Sequence, residues 1–289
     1  MAYLLLAVSL CLSVLKNLLS KGGKDVFRGG RNLMLSNMMT GAVAMIVFAI
    51  AGVNFSAFRD PLFVILAFLY GLATICSQSL YIMAVRNGSL SICSLIYSAS
   101  FLIPTVFSAV VYREPMTWNK IVGIACMLLA ILLVSGKGSG QEKMGRLSWG
   151  LIFLSMLCSG SVGVLQRVVG HRWNGENQTG YLFGAFVCLF ILSGIGTALL
   201  WKRGERAECS QKRFLLFGGT MAVCVTFANR LNTYLGGGAL PGMVFFPVLN
   251  GGCILLSALA SRVMFRERLS VRQMIGIGVG LCAIILIAI

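Results

Sequence analysis

The chain has 289 residues, 58% of them hydrophobic and only 11% charged, with a formal net charge of +16. A soluble fold of this size has too little interior to hide that much apolar surface, so lipid must be the solvent for most of the chain. The cations sit at the ends of apolar runs and between them, where anionic head groups and topology account for them; no basic stripe interleaved with aromatics is present, which excludes nucleic acid as a partner.

Crossing a bilayer takes about 20 apolar residues in a helix. Ten runs meet that length: 2–20, 33–53, 62–85, 89–112, 118–136, 147–169, 179–201, 213–235, 239–263 and 270–289. The first lacks a basic leader, contains Lys16 and precedes nine more spans, so it reads as a span and not as a cleaved signal peptide. The third carries Gln78 and Tyr81, and the fourth carries Tyr97 ahead of Pro104. The sixth carries Gln166 and Arg167. The eighth contains ANRLNTY, in which Asn229 and Asn232 are three apart and share a face. The ninth places Asn250 after Pro247. The connecting segments KGGKDVFRGGR, GKGSGQEKMGR and KRGERAECSQK are too short for an extramembrane domain. Nine of the ten cysteines lie in apolar runs, Cys209 alone sits in a hydrophilic segment, and no CxxC occurs, so cysteine serves as a small hydrophobe.

The chain repeats itself. VVYREPMTWNKIVGIACMLLAILLVS from Val110 returns as VMFRERLSVRQMIGIGVGLCAIILIA from Val263, an offset of 153 that places Arg113 on Arg266, Glu114 on Glu267, Gly123 on Gly276 and Tyr81 on Tyr234. An offset of 151 places Lys16 on Arg167 and Lys21 on Arg172. The Gly/Ser/Lys-rich segment 137–146 divides the chain into repeats 1–136 and 147–289 of five spans each. Five is odd, so the second half enters the membrane in the opposite sense. The expected fold is an all-α polytopic membrane protein, ten transmembrane helices in two inverted five-helix repeats. Inverted repeats recur in secondary transporters that hold substrate near the midplane. Thr117 and Ser270 suit the N-caps of the fifth and tenth spans, with Gln273 completing a capping box. Glu114 and Glu267 read as hinge and cap residues near helix N-termini, at the membrane edge.

On these features the chain resembles the EamA-like branch of the drug/metabolite transporter superfamily: two five-span halves, each closing on an Arg-Glu elbow and a glycine-bearing last helix. ALPGMVFFPVLNGG at 239–252 is similar to a pattern of one bacterial subgroup. The resemblance implies a small-molecule carrier, with family substrates that range from amino acids to nucleotide sugars and cationic drugs. Small multidrug relatives use an intramembrane carboxylate to exchange protons for cations. No Asp or Glu lies in an expected span here, which disfavours that chemistry.

Candidate substrate-binding residues are Lys16, Gln78, Tyr81, Tyr97, Gln166, Arg167, Asn229, Asn232 and Asn250. Intramembrane cations default to functional roles, yet Lys16 and Arg167 are close enough to helix ends to snorkel; repeat symmetry narrows that choice without closing it. Facing a cavity, they would favour an anionic group, and either could be replaced by Ala with folding intact. The amides either line the cavity or glue helices together. The glycines of 236–242 and 250–252 permit close helix approach or rocking, and His171, at a helix end, reads as interfacial. No usable catalytic, metal or cofactor motif is present, so no enzyme activity and no cofactor are expected. The expected function is alternating-access transport of a small polar, anionic or zwitterionic metabolite across a bacterial plasma (inner) membrane. A flippase for a lipid-linked sugar and an integral-membrane transferase are the alternatives. Expected partners are that substrate and membrane lipid, with the coupling ion open, in a monomer or homodimer. The segments after spans 1, 3, 5, 7 and 9 and their margins hold seventeen Lys and Arg against four after spans 2, 4, 6 and 8. The positive-inside rule then places both termini outside the cytoplasm, against the family habit of cytoplasmic termini.

Overall fold

The computed structural model describes residues 1–23, 26–27, 29–86, 90–135, 145–173, 177–202, 211–265 and 270–289, with the backbone alone at 90, 91, 202 and 265. Lipid offers the backbone no hydrogen bonds, so apolar runs must satisfy their own as helices. The helices are α1 (Ala2–Gly22), α2 (Gly30–Ile50), α3 (Pro61–Arg86), α4 (Leu90–Ser98), α5 (Leu102–Val111), α6 (Trp118–Val134), α7 (Arg146–Arg172), α8 (Gln178–Lys202), α9 (Gln211–Tyr234), α10 (Gly242–Phe265) and α11 (Val271–Ala288). Among the described residues nine helical stretches are long and apolar enough to cross a membrane, and Trp118–Val134 is a shorter tenth of 17 residues. At 1.5 Å per residue α6 still rises about 25 Å, the low end of what a bilayer needs. The chain is therefore an all-α polytopic membrane protein.

Two spans depart from a plain helix. The fourth is α4 and α5 joined by a 3₁₀ turn at Ala99–Phe101. Pro104 has no N–H to give the carbonyl four residues back, which loosens the helix there. The eighth continues from α9 into a π-helical turn, Leu235–Ala239, where Gly238 takes φ 135°. That left-handed conformation suits glycine and turns the chain toward α10. Ser270 forms the expected capping box: Gln273 N–H donates to Ser270 Oγ at 3.3 Å, and Ser270 N–H donates to Gln273 Oε1 at 2.9 Å. Thr117 occupies the N-cap of α6 but makes no side-chain cap hydrogen bond. Glu267, Cys209 and most of the expected boundary segment 137–146 lie outside the described residues.

The two halves interlock with the pairing an inverted repeat demands. α3 packs on α7 as α9 packs on α1, and α3 packs on α8 as α9 packs on α2, while α2 meets α8 and α6 meets α11 as repeat mates. A methyl group on Gly123 of α6 would lie 3.2 Å from the Ala283 carbonyl and 2.6 Å from Ile287; on Gly276 of α11 it would lie 3.1 Å from the Ala130 carbonyl and 3.0 Å from Val134. Ala283 and Ile287 are the repeat mates of Ala130 and Val134, so a pseudo-two-fold axis passes between α6 and α11. Early residues of one helix face late residues of the other, so the mates run antiparallel. Gly276→Ala is expected to force these backbones apart at a cost of about 1–3 kcal/mol, read as a lower thermal unfolding temperature in detergent. Gly278→Ala is the control: its added Cβ meets nothing within 4 Å, so its unfolding temperature should hold or rise.

Candidate transport cavity

The ends of α1, α3, α6, α8 and α10 share one side of the bundle, which among the described residues carries Lys21, Arg31, Arg86, Arg146, Lys212, Arg213, Arg262 and Arg272; we call it the basic end. A cavity of about 470 Å³ lies among α1, α2, α3, α4, α7, α8 and α9, a size typical of small-molecule sites. It runs from Tyr70 and Asn229, deep in α3 and α9, to Ser20, Leu33 and Ile82 beside the basic end.

Helical spacing builds its polar wall. Lys16 and Ser20 are one turn apart on α1, Leu33, Asn37 and Thr40 follow one face of α2, and Thr74, Gln78 and Tyr81 follow one face of α3. Tyr81 and Tyr97 bring their rings together at 4.9 Å across α3 and α4. Among the described residues Lys16 supplies a positive charge to this lining and no carboxylate faces it. Asn37 is 6% exposed, and its amide nitrogen has no hydrogen-bond partner among the described residues. A buried free donor on a cavity wall is suited to a ligand acceptor.

The floor is a network that crosses the halves. Tyr70 OH donates to Asn229 Oδ1 at 2.6 Å and accepts from Gln166 Nε2 at 3.2 Å; the same Gln166 nitrogen donates to Thr233 Oγ1 at 3.4 Å. Asn229 also donates to the Val225 carbonyl at 2.8 Å.

Of the expected site residues, Lys16, Gln78, Tyr81, Tyr97 and Asn229 line the cavity. Four do not. Gln166 is buried behind the floor; Asn232 accepts from Ser9 Oγ of α1; Asn250 donates to the Phe246 carbonyl of its own helix. Arg167 neither snorkels nor faces the cavity. It is 3% exposed, donates to the carbonyls of Gly236 at 3.1 Å and Leu240 at 2.9 Å, and pairs with Glu114. Arg230, in the same ANRLNTY run, donates to Gln178 Oε1 at 2.8 Å. Asn17, Asn37, Thr40, Thr74 and Ser159 also line the cavity and were not singled out from sequence. The 33, 37, 40 spacing of polar and apolar residues inside α2 was the signal that could have found two of them.

Arg167 belongs to the closed end opposite the basic one. Glu114, in the elbow between α5 and α6, does sit at a helix N-terminus, but at that of α10 and not of its own α6. Its carboxylate accepts from the backbone N–H groups of Gly242 at 2.9 Å and Met243 at 3.0 Å. The Tyr112 ring lies 5.5 Å from the Arg167 guanidinium and stacks on His171 at 3.9 Å. Burial pushes the Tyr112 phenol up, with Arg167 pulling the other way. Gly170 and Gly237 seal the layer: a methyl group on Gly170 would lie 2.1 Å from the Gly237 Cα. In the same two clusters Gly242 packs against Ser108 and Gly251 against Met127.

A polytopic all-α bundle of two interlocked halves around a polar cavity is the architecture of a membrane transporter. Residues 2–136 match the model of the EamA-like transporter family, a match that agrees with the drug/metabolite transporter superfamily and supports a general transporter role. Members of that family are transporters rather than enzymes. A solved crystal structure of a protein is similar with a TM-score of 0.78 over 99% of this chain and 96% of its own, at 17% sequence identity, a likeness that shows the fold alone. No curated protein matches the chain.

Proposed function

We propose that this transporter is a secondary carrier moving a small polar metabolite with an anionic or zwitterionic group across the plasma membrane of a bacterium by alternating access. The observation that carries the reading is a polar cavity between inverted halves, reaching one end and sealed at the other, with Lys16 in its wall and no described carboxylate. Lys16 takes the acid group, Asn37 and Gln78 its polar substituents, and Tyr81 with Tyr97 covers its apolar part. An ammonium group, when present, is met by side-chain oxygens such as Gln78 Oε1 and the hydroxyls of Thr40 and Thr74. The charge count supports a cytoplasmic basic end, which makes the termini extracytoplasmic and the cavity inward-facing.

Single cysteines test both parts. In a cysteine-depleted background, Gln78→Cys should react with a polar, membrane-impermeant thiol reagent applied to inside-out vesicles and resist it in right-side-out cells. Carboxylates or amino acids that raise the thermal unfolding temperature of the purified protein should slow this labelling. An inert Gln78→Cys would return the polar wall to interhelical glue, and labelling confined to the outside would reverse the orientation.

A further inference from the structure

We propose that Glu114 is the latch that holds the end opposite the cavity mouth closed, and that releasing it lets that end open. This rests on reading the chain as an alternating carrier. Three separate pieces of the closed end meet at this carboxylate: the elbow that carries it, the N-terminus of α10, and Arg167 near the end of α7. One oxygen accepts from Gly242 N–H at 2.9 Å and pairs with Arg167, and the other accepts from Met243 N–H at 3.0 Å. A carboxylate at a helix N-terminus meets free N–H groups and the positive end of the helix dipole. Here the helix belongs to the second half and the carboxylate to the first, so the bond ties the halves together.

The backbone is set for this contact. Arg113, immediately before Glu114, has φ 52°, a left-handed conformation that is unfavourable for an L-residue. Strain of this kind persists where the surrounding structure over-determines it. Arg167 completes the arrangement by donating to the Gly236 and Leu240 carbonyls, so one guanidinium clasps the turn that precedes α10. The repeat mates are in unlike surroundings: Lys16 lines the cavity, while Arg167 is locked under Glu114. Likewise Ile82 lines the cavity, whereas Leu235, 153 residues on, is fully buried next to Gly236, whose carbonyl Arg167 holds. Mates that differ in this way are what an inverted repeat shows when one end is open and the other shut.

The test uses the full chain in a cysteine-depleted background, comparing Leu235→Cys and Ile82→Cys with and without Glu114→Gln, which keeps the side chain's size and removes its charge. Loss of a charge-assisted bond at a two-state closure is expected to raise labelling of Leu235→Cys about tenfold, with labelling of Ile82→Cys level or lower. Unchanged labelling of Leu235→Cys overturns the latch. A rise at both positions also overturns it, because that is general loosening of the fold. The measurement needs no substrate, so it is decided separately from the substrate class proposed above.

Discussion

Lys16→Ala is expected to cut transport by about tenfold to a hundredfold while leaving the unfolding temperature of the ligand-free protein within a degree or two. The range follows from a hydrogen bond to a charged group, worth about 1.5–3 kcal/mol, at about 1.4 kcal/mol for each factor of ten. Lys16 lines a cavity in which no described carboxylate shares the wall, so truncation removes the positive charge offered to a substrate acid without breaking a described ion pair. Ligand-induced thermal stabilisation by acidic or zwitterionic compounds should disappear with it. Lys16→Arg, which keeps the charge, should retain part of both. Undiminished transport by Lys16→Ala would return the residue to an anchoring role at the membrane edge.

Arg167→Ala should behave in the opposite manner, losing stability first. Its guanidinium is 3% exposed and pairs with a carboxylate that is 10% exposed. Removing one partner of a buried pair costs about 3–5 kcal/mol, because the other is left uncompensated. The carbonyls of Gly236 and Leu240 would also lose their donors. We expect a large drop in unfolding temperature, or aggregation during detergent extraction. Arg167→Lys should recover little, since an ammonium cannot span the same planar fork. A wild-type unfolding temperature for Arg167→Ala would show that the closed end is held by packing alone, as at Gly170 against Gly237. Sequence reasoning alone had placed both cations in one class, with folding indifferent to either.

The contrast between those two cations separates what was legible in the residues from what was not. Hydropathy and run length were sufficient for ten membrane helices, whose ends were placed within a few residues, because lipid leaves the backbone no other way to bond itself. The 153-residue repeat was sufficient for the inversion, since five crossings reverse the chain, and the mirrored contacts of Gly123 and Gly276 follow from it. Spacing correctly put Gln78 and Tyr81 on one face of α3. It could not say which neighbour each face meets, so Asn229 reached the cavity floor while Asn232, one turn away, bonded to Ser9 of α1. Nor could the repeat say that Lys16 and Arg167 would have different partners. A linear repeat assigns equal environments to its mates, whereas one conformation closes one end and opens the other. Glu114 shows the same limit: its short-range role at a helix N-terminus was readable from the elbow, but the helix it caps starts 128 residues later. Only the packing of the two halves brought that N-terminus, Arg167 and the carboxylate together.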